Sequence, residues 1–168
     1  RLARVIDSRI IVSHISCPLN GGRHSSDNHP FSLDFLGHSW LFVQVGIVKR
    51  IEGYQTAHEP RLEAGAYPAR IFEFLRDRLM ESLTMNPYLS FCDALQNAIR
   101  GITTAFPGRY TLFLANESVL YVFTNFYPIM LLRESEQSGE VLLVTSVKEA
   151  LSPKEWLLVK PEGPHAGK

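Results

Sequence analysis

Apolar and polar positions change period along the 168 residues, and the changes divide the chain into three parts. Arg9-Ile10-Ile11-Val12-Ser13-His14-Ile15 is β-branched and apolar, the composition of a buried or half-buried strand. Cys17 to Pro30 is a long polar loop rich in Pro, Gly, Asn, Ser, Asp and His, with Asn20-Gly21-Gly22 supplying residues that tolerate positive φ. Ser39 to Val48 is a continuous apolar run, as expected of a central strand covered on both faces, and Gly46 inside it predicts a bend, a bulge or a close backbone approach.

The middle part has helical period. Ile71, Leu75, Leu79 and Leu83 form one stripe over Tyr67–Leu83, with Pro68 in the first turn, where its missing N–H costs nothing. Glu73, Arg76, Asp77, Arg78 and Glu81 read as a solvated face of that helix. After Asn86-Pro87, Ser90-Phe91-Cys92-Asp93 resembles a capping signal, and Phe91, Leu95, Ile99, Ile102 and Phe106 continue as a second stripe up to Pro107-Gly108. The last third predicts short strands at Tyr110–Ala115, Val119–Thr124, Ile129–Arg133, Val141–Ser146 and Trp156–Lys160, most economically an antiparallel meander. Strands, two helices and strands again make an α+β layered domain with helices covering one sheet. The chain shows no internal repeat.

Composition narrows the class. With 45% hydrophobic and 20% charged residues, the chain is neither a disordered tail nor a coiled coil, and its length suits one domain over 1–168. Seventeen Lys+Arg balance 17 Asp+Glu, which argues against an electrostatic grip on nucleic acid or an anionic membrane. Two cysteines, Cys17 and Cys92, build no disulfide framework and lack zinc-site spacing, so a reducing, cytoplasmic setting is expected. No apolar run approaches the ~18 residues of a membrane span. Residue 1 is Arg rather than Met, and sequence upstream of it is expected.

Three places together resemble the class II glutamine amidotransferases, the N-terminal-nucleophile glutaminases, particularly their small stand-alone branch. Asp27-Asn28-His29-Pro30-Phe31, followed by Trp40-Leu41-Phe42-Val43-Gln44-Val45-Gly46, resembles the family's Asn-x-His-Pro-Phe loop and its Trp-x-Phe-x-His-Asn-Gly strand. Val12-Ser13-His14-Ile15-Ser16 is similar to the strand ending in His-x-Arg, and Gly65 to Leu75 to the Gly-Ser-Thr-Asp-Ser-Glu turn that leads into an apolar helix. The closing strands, with Leu112-Phe113-Leu114-Ala115-Asn116-Glu117 and Val144-Thr145-Ser146, are similar to the family's final strands. The resemblance covers nearly the whole chain, of a family member without its N-terminal strand or strands.

It implies an αββα four-layer sandwich of the N-terminal-nucleophile hydrolase type, in which glutamine is hydrolysed to glutamate and ammonia. That reaction uses an N-terminal cysteine whose α-amine is the base, and donors for the tetrahedral oxyanion. An arginine pairs with the substrate carboxylate and an acid holds its ammonium. Here the catalytic thiol is not in the chain. Ser16 stands at the arginine position, Val45 at the oxyanion asparagine, and Tyr67 or, by a one-residue shift of register, Pro68 at the acid. Only the backbone N–H of Gly46 is kept as an oxyanion donor, and His29 is expected to bond to backbone. The former pocket is therefore Ser16, His29, Val45, Gly46 and Tyr67.

Other constellations are weaker. His14, His24, His29, His38 and His58 lack the spacing that brings imidazoles together, so no metal or other cofactor is expected. A triad of Ser25, His29 and Asp34 lacks a nucleophile elbow, and Asn116-Glu117-Ser118 reads as a hairpin turn. The expectation is a catalytically degenerate amidotransferase-like domain serving as a regulatory or interaction subunit beside a synthase or second protein, or as a homo-oligomer. The alternatives are an active glutaminase whose cysteine lies upstream, taking glutamine as its small molecule, and a module binding another small amide in the old pocket.

Overall fold

The computed structural model describes residues 9–14, 29–56, 67–136, 139–146 and 156–161. Its first element, β1 (Phe31–Phe35), alternates Phe31, Leu33 and Phe35 inward with exposed Ser32 and Asp34, and turns at Leu36-Gly37 into β2 (His38–Val45). Both turn residues have positive φ (53° and 78°), the twist that a two-residue hairpin needs. Sequence reading placed no strand at Phe31–Phe35, because the alternation lasts only five residues beside a polar loop. The expected strand at the N-terminus is also corrected: Arg9–His14 forms no strand, and Ile15 lies outside the described residues.

A short 3-10 turn (Ile51–Gly53) precedes α1 (Tyr67–Met85) and α2 (Phe91–Ala105). The Ser90 hydroxyl caps α2 by accepting from Asp93 N–H, as its sequence predicts, and the helix ends with Phe106 N–H on Ile102 O. β3 (Thr111–Ala115) then pairs antiparallel with β2, and β4 (Leu120–Thr124) with β3, giving one sheet in the order β1-β2-β3-β4.

Both helices pack on one face of this sheet. Leu33, Trp40, Phe42, Leu112 and Leu114 meet Ile71, Phe72, Leu75, Leu79, Leu95 and Ile102 in the core. Phe42 stacks on Phe72 and Trp40 on Phe91, each with ring centroids 4.8 Å apart. Such pairs contribute about 0.5–1.5 kcal/mol beyond their buried area.

The strand positions of the last third are as read, but not their topology. β5 (Ile129–Glu136) pairs with β6 (Gly139–Thr145) and, on its other edge, with β7 (Leu157–Val159), forming a second antiparallel sheet instead of a continuing meander. The break falls at Asn125, whose side chain accepts from Tyr110 N–H and donates to Gly108 O, tying the end of β4 back to the first sheet before Pro128. The two sheets face each other across a cavity of about 120 Å³ lined by Val43, Val45, Phe113 and residues 144–146, with residues 11–14 beside them. The described residues thus form a helical layer and two antiparallel sheets. No described helix is long and apolar enough to cross a membrane.

The polar face read on α1 is largely interior. Arg78 and Glu81 are an exposed pair, but Glu73, Arg76 and Asp77 are 1%, 3% and 6% exposed. The segment after the 3-10 turn accounts for part of this: Tyr54 and Thr56 hydroxyls donate to Asp77 Oδ2 at 2.8 and 2.7 Å, while Arg76 donates to Asp77 Oδ1 and to Thr56 Oγ1. Burial and the Asp77 bond hold the Tyr54 phenol well above its usual range. Arg70 donates to Glu73 Oε2 at 2.9 Å. Asp77→Ala leaves the Arg76 guanidinium buried and unpaired, and is expected to cost about 3–5 kcal/mol in urea denaturation. Tyr54→Phe, which removes one hydrogen bond, should cost about 1–2 kcal/mol in the same measurement.

Candidate functional site

The β-branched, apolar run of β2 ends at Val45, where the chain must bend to enter the connection to α1. Gly46 makes that bend with φ 122°, and a Cβ on it would overlap the carbonyl of Arg109. Arg109 N–H donates to Ile47 O at 2.8 Å, and Val48 pairs with Gly108 as an isolated bridge. The expected close approach at Gly46 is therefore to the chain's own backbone.

Around this crossing the fold gathers four of the five pocket positions read from sequence. Tyr67, the first residue of α1, donates its hydroxyl to Gly46 O at 2.6 Å, tying the helix start to the strand end. His29 Nε2 accepts from Gln44 N–H at 3.3 Å, so the ring is neutral and bonds to backbone, as its position before Pro30 suggests. Val45 is half-buried opposite Thr111, and its side chain faces the inter-sheet cavity with Val43 and Phe113. Ser16 lies outside the described residues, as do Cys17, Ser25, His24 and His58.

One inference from spacing is corrected. The His14 and His29 rings meet edge to face with centroids 4.7 Å apart, and Phe31 also meets His29 edge to face at the same distance. Fifteen residues of separation hid this contact, since only the return of the chain beside β2 creates it. Burial, and then the neighbouring His14, push the His29 pKa down to about 4, and burial also lowers that of His14. Among the described residues, no three His, Cys, Asp or Glu side chains are grouped to hold a metal ion. Asp34 of the paper triad is exposed on β1, and Cys92 is exposed on the first turn of α2 beside Gln96. Asn116 Oδ1 accepts from Ser118 and Val119 N–H, the hairpin turn read from sequence.

Two acceptors of this arrangement are filled from within the chain, His29 Nε2 by Gln44 N–H and Gly46 O by the Tyr67 hydroxyl. Gln44 is buried, with Nε2 lacking a partner among the described residues; it is a feature that its run of apolar neighbours concealed. Gly108, which completes the crossing with Arg109, was read only as part of the Pro107-Gly108 helix stop.

No family model matches the sequence, and neither does any curated protein. The structure is similar to the crystal structure of a predicted glutamine amidotransferase from Pseudomonas aeruginosa PA01, with TM-score 0.61 and 14% identity over 82% of this chain. The chain shares the fold of that protein. It spans 60% of the length of that protein. A second similar structure is the glutamine phosphoribosylpyrophosphate amidotransferase from B. subtilis, with TM-score 0.43 and 9% identity over 71% of this chain and 25% of that one.

Three outcomes are expected from this geometry. Gly46→Ala should lower stability by about 3 kcal/mol or more, combining a strained φ with a backbone clash. Gly37→Ala, with positive φ but open space around it, should cost only about 1–2 kcal/mol by the same urea titration. The His29 pKa lies below its ordinary 6.5, so the unfolded chain takes up the proton first. Its contribution is constant above about pH 6.5, falls as pH drops toward 4, and is fully lost below. The urea midpoint of His29→Gln should therefore decline less than that of the parent between pH 7 and pH 4.5.

Proposed function

We propose that this chain is a class II glutamine amidotransferase-like domain that no longer hydrolyses glutamine and serves as a regulatory or interaction subunit. The observation that carries the reading is the end of β2. There the position corresponding to an oxyanion-stabilising asparagine is Val45, an aliphatic side chain with no hydrogen-bonding group, turned into the cavity between the sheets that Ser13, His14, Thr145 and Ser146 also line. Loss of one such donor costs about 100- to 1000-fold in rate. The position corresponding to the ammonium-holding acid is Tyr67, whose hydroxyl is bonded to Gly46 O, or by a one-residue shift of register Pro68. Neither position can take over the role it replaces, since a valine side chain offers no N–H and neither a phenol nor a proline ring offers a carboxylate.

The reading includes a second helical layer on the far side of the β5–β7 sheet, completing the αββα sandwich, and a cytoplasmic partner such as a synthase or a second subunit. It is tested by incubating the purified full chain with glutamine and measuring glutamate and ammonia. Release no faster than in buffer is expected, with no change after thiol alkylation by iodoacetamide. Turnover that iodoacetamide abolishes would overturn the proposal in favour of an active glutaminase with an N-terminal cysteine.

A further inference from the structure

We infer that the cleft between α2 and the second sheet binds an apolar molecule with an anionic carboxylate head, of the fatty-acid type. The cleft holds about 610 Å³, within the range of small-ligand sites, and shares no residue with the His29–Gly46–Tyr67 cluster. Its wall is apolar: Ile99 from α2, Val122 and Phe123 from β4, Ile129 and Leu131 from β5, and Val159 from β7.

Two cations, Arg100 and Lys160, line the same cleft, and no acidic residue does so among the described residues. Neither forms an ion pair there with a described acid. A guanidinium fork and an ammonium facing one apolar space complement a carboxylate, and they repel a cationic head.

The interior accounts for the rest of the molecule. A second cavity of about 270 Å³ shares Gln96, Ile99, Val122 and Phe123 with the first and continues under α2 to Leu75, Leu95 and Leu114. Arg100 and Lys160 are not among its lining residues. Charge is therefore graded: both cations line the first compartment alone, while the second is walled by aliphatic and aromatic side chains together with the uncharged Cys92 and Gln96. An amphiphile seats its head outside and its chain inside on such a gradient, because burying the apolar chain is favourable at about 25 cal/mol per Å² while the charged head keeps its partners.

The test is displacement of cis-parinaric acid fluorescence from the purified full chain by dodecanoate, with dodecyltrimethylammonium as the matched cationic chain. Saturable displacement by dodecanoate and none by the ammonium compound is expected. Arg100→Glu combined with Lys160→Glu should weaken dodecanoate about tenfold or more, while leaving thermal unfolding unchanged because both residues are exposed. Ile99→Trp, at the neck shared by both cavities, should block displacement. No saturable binding, equal competition by the two head groups, or full affinity in the charge-reversed variant would each overturn the inference.

Discussion

At Gly46 two stretches of main chain lie too close for any side chain to stand between them, and the candidate site is built around that crossing. The carbonyl of Ile47 takes the Arg109 N–H, Gly108 lies against Ile47 and Val48, and the Gly46 carbonyl takes the Tyr67 hydroxyl. One short segment thus joins the end of β2, the start of β3 and the first turn of α1. Because backbone atoms make most of these contacts, the frame tolerates change in the side chains that point into it. A fold shared at 14% identity is consistent with such a constraint, which fixes a few glycines and an apolar pattern and leaves pocket chemistry free to vary.

The helices show where pattern reading succeeds and where it stops. The stripe Ile71, Leu75 and Leu79 is fully buried, and Ser90 caps α2 as its sequence suggests, since both features depend on residues within a turn or two. Burial of Glu73, Arg76 and Asp77 was illegible, because periodicity says which face is apolar and not what covers the polar one. The covering segment contributes Tyr54 and Thr56, more than twenty residues away, and its hydroxyls are what make an ionised pair tolerable in the interior. A buried pair of this kind is weak evidence for net stability but strong evidence for position, as it admits only one placement of residues 54–56 on α1.

The strands divide in the same way. Five strand positions in the last third were readable from short apolar runs and turn residues, whereas their division into two sheets rests on the bonds of Asn125 to Tyr110 and Gly108. A meander and a split pair of sheets present the same alternation along the chain and differ in which strand edges pair, β5 bonding to β6 and β7 and not to β4. β1 escaped notice for a related reason: three inward residues, Phe31, Leu33 and Phe35, are a minimal signal until β2 lies beside them.

Resemblance selected positions at the end of β2 and not the bonds they make. His29, Val45, Gly46 and Tyr67 were chosen by resemblance to a motif, and the chain does bring them to one end of β2. What could not be read was how their polar atoms are spent: His29 Nε2 on Gln44, the Tyr67 hydroxyl on Gly46. These bonds bear directly on what the pocket can do. An acceptor already filled by a main-chain N–H, in a ring held neutral by burial, takes a proton from a substrate only by surrendering that bond. A phenol committed to a carbonyl is likewise a lock on the fold before it is a contact for a ligand. The same bonds that fix the geometry at the end of β2 therefore occupy the His29 Nε2 acceptor and the Tyr67 O–H donor, so that shape and hydrogen-bonding chemistry at this crossing are set by one group of residues.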